Sequence, residues 1–124
     1  MTAIARLGSV AIDCADPKEL ADFYTALTGW EATFSTDDFV ALSGDRLWLT
    51  LMRVDDYLAP SWPAGEVRKQ LHLDFAVDDL DRAEAAAVAI GAVKAADQPS
   101  PDRWRVLLDP AGHPFCLTTL IPEN

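Results

Sequence analysis

Leu7-Gly8-Ser9-Val10-Ala11-Ile12-Asp13-Cys14-Ala15-Asp16-Pro17 opens a segment that runs on with helical spacing to Leu27 and stops at Gly29. The same plan returns as Leu71-His72-Leu73-Asp74-Phe75-Ala76-Val77-Asp78-Asp79-Leu80, a helical run to Ile90, and Gly91. Aligning the two sets Asp16 against Asp79 and Ser9 against His72, and one extra residue late in the first helix brings Gly29 opposite Gly91. The repeat predicts an α+β fold of two tandem βαβββ modules forming a curved mixed sheet around a cleft. Side chains at matching positions of the two halves are then expected to face one another across it.

Strand alternation assigns the faces. In Leu7 to Asp13, Leu7, Ser9, Ala11 and Asp13 share one side, and Gly8, Val10 and Ile12 the other. Asp16 then suits a helix N-cap and Pro17 the first helical position, while Glu19 adds negative charge to the first turn. Leu20, Phe23, Tyr24 and Leu27 recur at helical spacing and mark the core face. Strands are expected at Trp30 to Ser35, Phe39 to Ser43 and Arg46 to Val54, with turn chemistry at Thr36-Asp37-Asp38 and Gly44-Asp45. In the second half, Gln70 to Val77 reads as a strand with Gln70, His72 and Asp74 on one face. Asp79 to Ile90 reads as its helix, followed by strands at Ala92 to Ala96, Arg103 to Leu108 and Pro114 to Leu120. Module one thus covers about residues 5–54 and module two residues 70–121 of one domain spanning 1–124. Between them, 55–69 holds Pro60, Pro63 and Gly65, which break regular structure, together with Tyr57 and Trp62.

Composition narrows the class. A chain of 124 residues, half of them hydrophobic, buries enough surface to fold without disulfide or structural metal. Its formal charge of −10 disfavours nucleic acid and anionic membranes, both polyanions, and favours a cationic ligand. No apolar run reaches transmembrane length, and Met1 to Arg6 is too short for a signal peptide. Cys14 and Cys116 form no Cys-x-x-Cys pair, so two free thiols in the cytoplasm are expected.

The Ser9-to-Pro17 module, the Phe23-Tyr24 pair before Leu27 and Gly29, and the closing Asp109-Pro110-Ala111-Gly112-His113-Pro114-Phe115-Cys116-Leu117 resemble the vicinal oxygen chelate superfamily. That superfamily includes glyoxalase I, extradiol dioxygenases, and fosfomycin- and bleomycin-resistance proteins. Tyr57, Trp62-Pro63, His72-Leu73-Asp74 and Gly112 to Cys116 are similar to a glyoxalase-like subgroup. The resemblance implies metal ligands on the first and last strands of each module. The first-strand positions are Ser9 and His72, and Cys116 stands where a ligating Glu is common. Superposing Gly44 on Gly112 gives Trp48 as the fourth position, with Thr50 and Met52 as same-face alternatives. One imidazole and one thiol fall short of the ligand set of a zinc or iron site unless Asp74 or another carboxylate joins them. The expectation is therefore a cleft with no metal cofactor.

His72 and Asp74, about 7 Å apart at i and i+2 of a strand, suit a general base and its orienting carboxylate or a simple hydrogen-bonded pair. Trp48, Trp62 and Trp104 suit either an aromatic ligand or packing. The functional expectation is a small-molecule-binding protein, for a drug or metabolite, with Ser9, Trp48, Thr50, Met52, Tyr57, Trp62, His72, Trp104 and Cys116 as ligand-binding candidates. The alternative is a glyoxalase-like lyase or isomerase working through His72 with Asp74 or through a degenerate metal site. By analogy with the superfamily, and from the aromatics of the connector, a homodimer is expected.

Overall fold

A computed structural model describes residues 2–122, and the chain divides between Tyr57 and Leu58 into two compact units. In the first unit β1 (Ser9–Cys14) leads into α1 (Pro17–Thr28), then β2 (Glu31–Ser35), β3 (Phe39–Ser43) and β4 (Trp48–Arg53). The second unit repeats this with β5 (Leu73–Ala76), α2 (Leu80–Ala89), β6 (Val93–Lys94), β7 (Trp104–Leu108) and β8 (Pro114–Thr118). The strands form two four-stranded sheets, ordered β1-β4-β3-β2 and β5-β8-β7-β6. In each the first strand pairs parallel with the last and the other pairs are antiparallel, so both sheets are mixed. The parallel pair follows from the helix, because a strand that returns in the same direction needs a crossover.

Both helices start on the aspartates that the repeat aligns. The Asp16 carboxylate accepts hydrogen bonds from the backbone of Lys18 (3.1 Å) and Glu19 (3.2 Å), and Pro17 occupies the first turn, where its missing N–H costs nothing. Asp79 accepts from the backbone N–H of Arg82 at 2.9 Å. Gly29 ends α1 at φ 77°, a left-handed angle that glycine adopts without a Cβ penalty, and its N–H donates to the Thr25 carbonyl at 2.9 Å.

Alternation then decides which side of each sheet meets its helix. Ile12 and Cys14 of β1 are buried with Leu49 and Leu51 of β4, and α1 packs on β3 and β4 through Leu20, Phe23 and Tyr24. In the second unit Leu107, Phe115 and Leu117 are buried, Phe75 meets Phe115 edge-on at 5.7 Å, and α2 packs on β6, β7 and β8. Arg105 projects toward α2. Its guanidinium contacts Asp81 and Glu84 at 3.0 Å each and donates to the Pro101 carbonyl at 2.6 Å. The remaining rows, Asp74 on β5, Trp104 and Val106 on β7, and Pro114, Cys116 and Thr118 on β8, turn to the opposite face.

Two strands fall to half their expected length or less. The Gln70 to Val77 strand contracts to Leu73–Ala76, because its parallel ladder with β8 spans only Phe115 to Thr118. The Ala92 to Ala96 strand contracts to Val93–Lys94, where a side chain takes over the pairing. The Gln98 amide accepts from the Val106 N–H at 2.9 Å and donates to the carbonyls of Ala95 and Val106 at 2.8 Å.

Candidate functional site

The open face of the second sheet forms the floor of a cavity of about 370 Å³. Trp104, Val106, Pro114, Cys116 and Thr118 come from β7 and β8, and Asp74 from β5. His72 precedes β5 by one residue, Trp62 and Lys69 come from the connector, and Pro99 and Ile121 complete the lining. Trp62 and Trp104 also pack on the buried cluster of Ala95, Val106 and Cys116, so the aromatic walls rest on the core.

The turn before β8 sets the height of Cys116. Asp109, itself buried, accepts hydrogen bonds from the backbone N–H groups of Ala111 (2.9 Å) and His113 (3.0 Å), and its own N–H donates to the His113 carbonyl. Gly112 within that turn has φ 90°, and a Cβ there would lie 2.7 Å from the Ala59 Cβ. His113 thus contributes its backbone to the turn, as its place after Gly112 suggests.

The polar groups converge at one point. Asp74 and Cys116 are register partners on β5 and β8, and His72 lies two residues before Asp74 on the same side. The His72 Nε2 is 3.2 Å from the Asp74 carboxylate, and the ligand atoms of His72, Asp74 and Cys116 all lie within 4.8 Å of one another. Cys116 is only 8% exposed. Loss of hydration on burial pushes its thiol up to about 11, helped by the negative charge of Asp74 and a hydrogen bond to that carboxylate, and opposed by the charge of Lys69. The thiol holds its proton at neutral pH and donates it toward Asp74, which also faces the imidazole.

These three donors bear on the metal question. A nitrogen, an oxygen and a sulfur from two neighbouring strands match in number and kind the three protein ligands of an open zinc site. His72, Asp74 and Cys116 would hold such an ion, with the cavity side left for a ligand. Bound there, it would supply a Lewis acid to a ligand oxygen. Counting only the imidazole and the thiol understates the set, since strand pairing brings Asp74 to them.

The other expected residues divide by unit. Trp62, His72, Trp104 and Cys116 line the cavity together with Asp74. Ser9, Trp48, Thr50, Met52 and Tyr57 belong to the first unit. Register also settles which residue of the first module corresponds to Cys116. Ala11 pairs with Thr50 as Asp74 pairs with Cys116, and Ser9 pairs with Trp48, so the equivalent is Thr50 and not Trp48. Superposition on glycine misplaces it because the turn of residues 109–113 is one residue longer than that of 44–47, and its glycine sits later. Thr50 is buried and its hydroxyl donates to the Val10 carbonyl at 3.5 Å.

Lys69, Pro99, Val106, Pro114, Thr118 and Ile121 were not among the expected lining residues. Three carried a signal, since counting by twos from Trp104 gives Val106, and from Cys116 gives Pro114 and Thr118. Lys69 carried none. It lies at the end of an aperiodic connector, so nothing local indicates which way it points.

A family model described as a glyoxalase-like domain matches residues 9–118. No curated protein sequence matches the chain. Among solved structures, a glyoxalase/bleomycin resistance protein/dioxygenase family enzyme from Burkholderia phytofirmans PsJN is similar at 20% identity and TM-score 0.71, over 94% of this chain and 100% of that one. The fosfomycin resistance protein FosX from Mesorhizobium loti is similar at 16% identity and TM-score 0.71, over 96% and 94%. A FosX mutant from Listeria monocytogenes, in complex with manganese(II) and 1S,2S-dihydroxypropylphosphonic acid, gives 17% identity and TM-score 0.74 over 96% and 95%. At these identities the likeness to the solved structures is one of fold.

Proposed function

Since the chain belongs to the glyoxalase-like domain family, within the glyoxalase/bleomycin resistance/dioxygenase superfamily, we propose that it binds a small organic molecule, a drug or metabolite, in the cavity of its second module. The observation that carries this reading is the cavity itself, walled by Trp62 and Trp104 and provided with His72, Asp74 and Cys116 at one polar point. Apolar walls with a few convergent polar groups are the ordinary anatomy of a ligand site. Binding works without a metal, because the imidazole of His72 and the thiol of Cys116 each already contact the Asp74 carboxylate, which leaves that carboxylate open to a ligand. The protein acts as a homodimer in the cytoplasm, where Cys14 and Cys116 persist as thiols.

The test is a thermal-shift screen of planar aromatic compounds on metal-stripped protein. Compounds that raise the melting temperature should lose most of that effect on Trp62→Ala and Trp104→Ala. If compounds bind only after zinc or manganese is returned, the metal-free reading fails.

A glyoxalase-like lyase or isomerase is the second reading, and the 3.2 Å contact of His72 with Asp74 favours it, since a carboxylate at that distance orients an imidazole as a general base. His72→Ala separates the two. It should leave affinity within about threefold of the parent if the site only binds, and abolish turnover if the site is an enzyme's.

A further inference from the structure

Among the described residues Lys69 is the one ammonium in the cavity lining, and it is half-buried there. Among the described residues it makes no ion pair, although acids outnumber Lys and Arg 20 to 10 in the chain. Lys18, Arg53, Lys94 and Arg105 each face a carboxylate, and of the other Lys and Arg residues described only Lys69 lines the cavity. The Lys69 charge reaches the thiol of Cys116, so it acts on the polar point of the cavity and not only on solvent. Asp74 supplies the opposite charge. Its carboxylate takes the contacts of His72 and Cys116 and remains nearly half exposed toward the cavity, with capacity for a further donor.

Among the described residues the cavity thus presents one ammonium and one carboxylate that are not paired with each other, beside two indoles. A ligand with a lone positive charge meets Asp74 but brings its charge to a site that already holds an ammonium. A ligand with a lone negative charge has the reverse difficulty. A molecule with both charges loses water from each on entry, and recovers that cost only where both are met by charge-assisted hydrogen bonds. The overall negative charge of the chain favours cations in the surrounding solvent, whereas Lys69 and Asp74 balance one another among the described residues of the lining.

We propose that the cavity selects an aromatic zwitterion, an amino-acid-like molecule whose carboxylate meets Lys69, whose ammonium meets Asp74, and whose ring lies against Trp62 and Trp104. The inference rests on the small-molecule reading above and specifies its ligand class. Ring stacking supplies affinity that a cation or an anion of the same skeleton shares, and the two charged contacts supply the selectivity.

Three probes with one indole body test it by isothermal titration calorimetry on the full chain: tryptamine, tryptophan and indole-3-propionate. Tryptophan should bind about tenfold more tightly than either of the others, as one additional charged hydrogen bond warrants. Lys69→Met should bring tryptophan down to tryptamine without weakening tryptamine, and Asp74→Asn should bring it down to indole-3-propionate. Equal affinities for the three, or strongest binding by a singly charged probe, would overturn the zwitterion inference and leave small-molecule binding standing. So would silence from all three beside positive compounds in the thermal-shift screen. Silence in both experiments would remove the underlying reading as well.

Discussion

Cys116 is where a sequence position and its chemistry part company. The resemblance puts a thiol in a place that commonly holds a ligating carboxylate, while the fold buries that thiol against Asp74 and keeps it protonated. The pH consequence has a definite sign. A thiol whose pKa rises on folding, here from an ordinary 9.0 to about 11, stabilises the fold fully below about pH 9 and loses that contribution as pH climbs toward about 11. Denaturant unfolding across that window should show a steeper loss of stability in the parent than in Cys116→Ser, and equal slopes would refute the assignment. Asp74→Asn should lower the pH at which thiolate ultraviolet absorbance appears, because it removes the adjacent negative charge. Gly112 makes a second residue-scale case. With φ at 90° and the Ala59 Cβ in the way, Gly112→Ala should destabilise by more than about 1 kcal/mol, measured by chemical denaturation.

Among the elements, the helices were the most legible from sequence. Asp16 and Asp79 are N-caps as read, and Gly29 closes α1, because capping depends on a few consecutive residues. Removing either cap as Asp16→Ala or Asp79→Ala should cost about 1 kcal/mol in unfolding free energy. The attachment of α2 was less legible. This helix is rich in alanine and buries little beyond Ala87, so much of its docking falls to Arg105, whose side chain is 14% exposed and bridges Asp81 and Glu84. Arg105→Met should lower stability by about 1 kcal/mol, since it removes the contacts to Asp81, Glu84 and the Pro101 carbonyl while Lys94 still pairs with the Glu84 carboxylate at 3.3 Å. A loss within error of zero would show that the contact is only a surface ion pair. Alternation overextends the strands at Gln70 and Ala96 because it continues past the last backbone partner.

For the molecule as a whole, the apolar surface left uncovered is informative. On the first sheet Trp48, Met52 and Phe34 are exposed, and the register places them on one face with Phe39, which meets Phe34 edge-on at 6.0 Å. Exposed apolar clusters of this kind mark contact surfaces, which supports the proposed homodimer. Sedimentation at micromolar concentration should give twice the chain mass of 13.5 kDa, and Trp48→Glu should shift it toward the monomer. A parent protein that sediments at the monomer mass would rule the dimer out.

The doubled βαβββ plan, the helix caps and the common face of His72 and Asp74 were determined by sequence alone, because each follows from a period or a spacing within one element. The closure of Cys116 onto that pair was decided by the parallel ladder of β5 with β8, residues far apart in the chain. The equivalence of Thr50 with Cys116 was likewise decided by register, which the length of a turn sets and a glycine does not. Lys69 entered the site by long-range packing of an aperiodic connector, for which no local rule exists. Periodicity tells a side chain which face of its own strand to take; only the meeting of distant segments tells it what stands opposite.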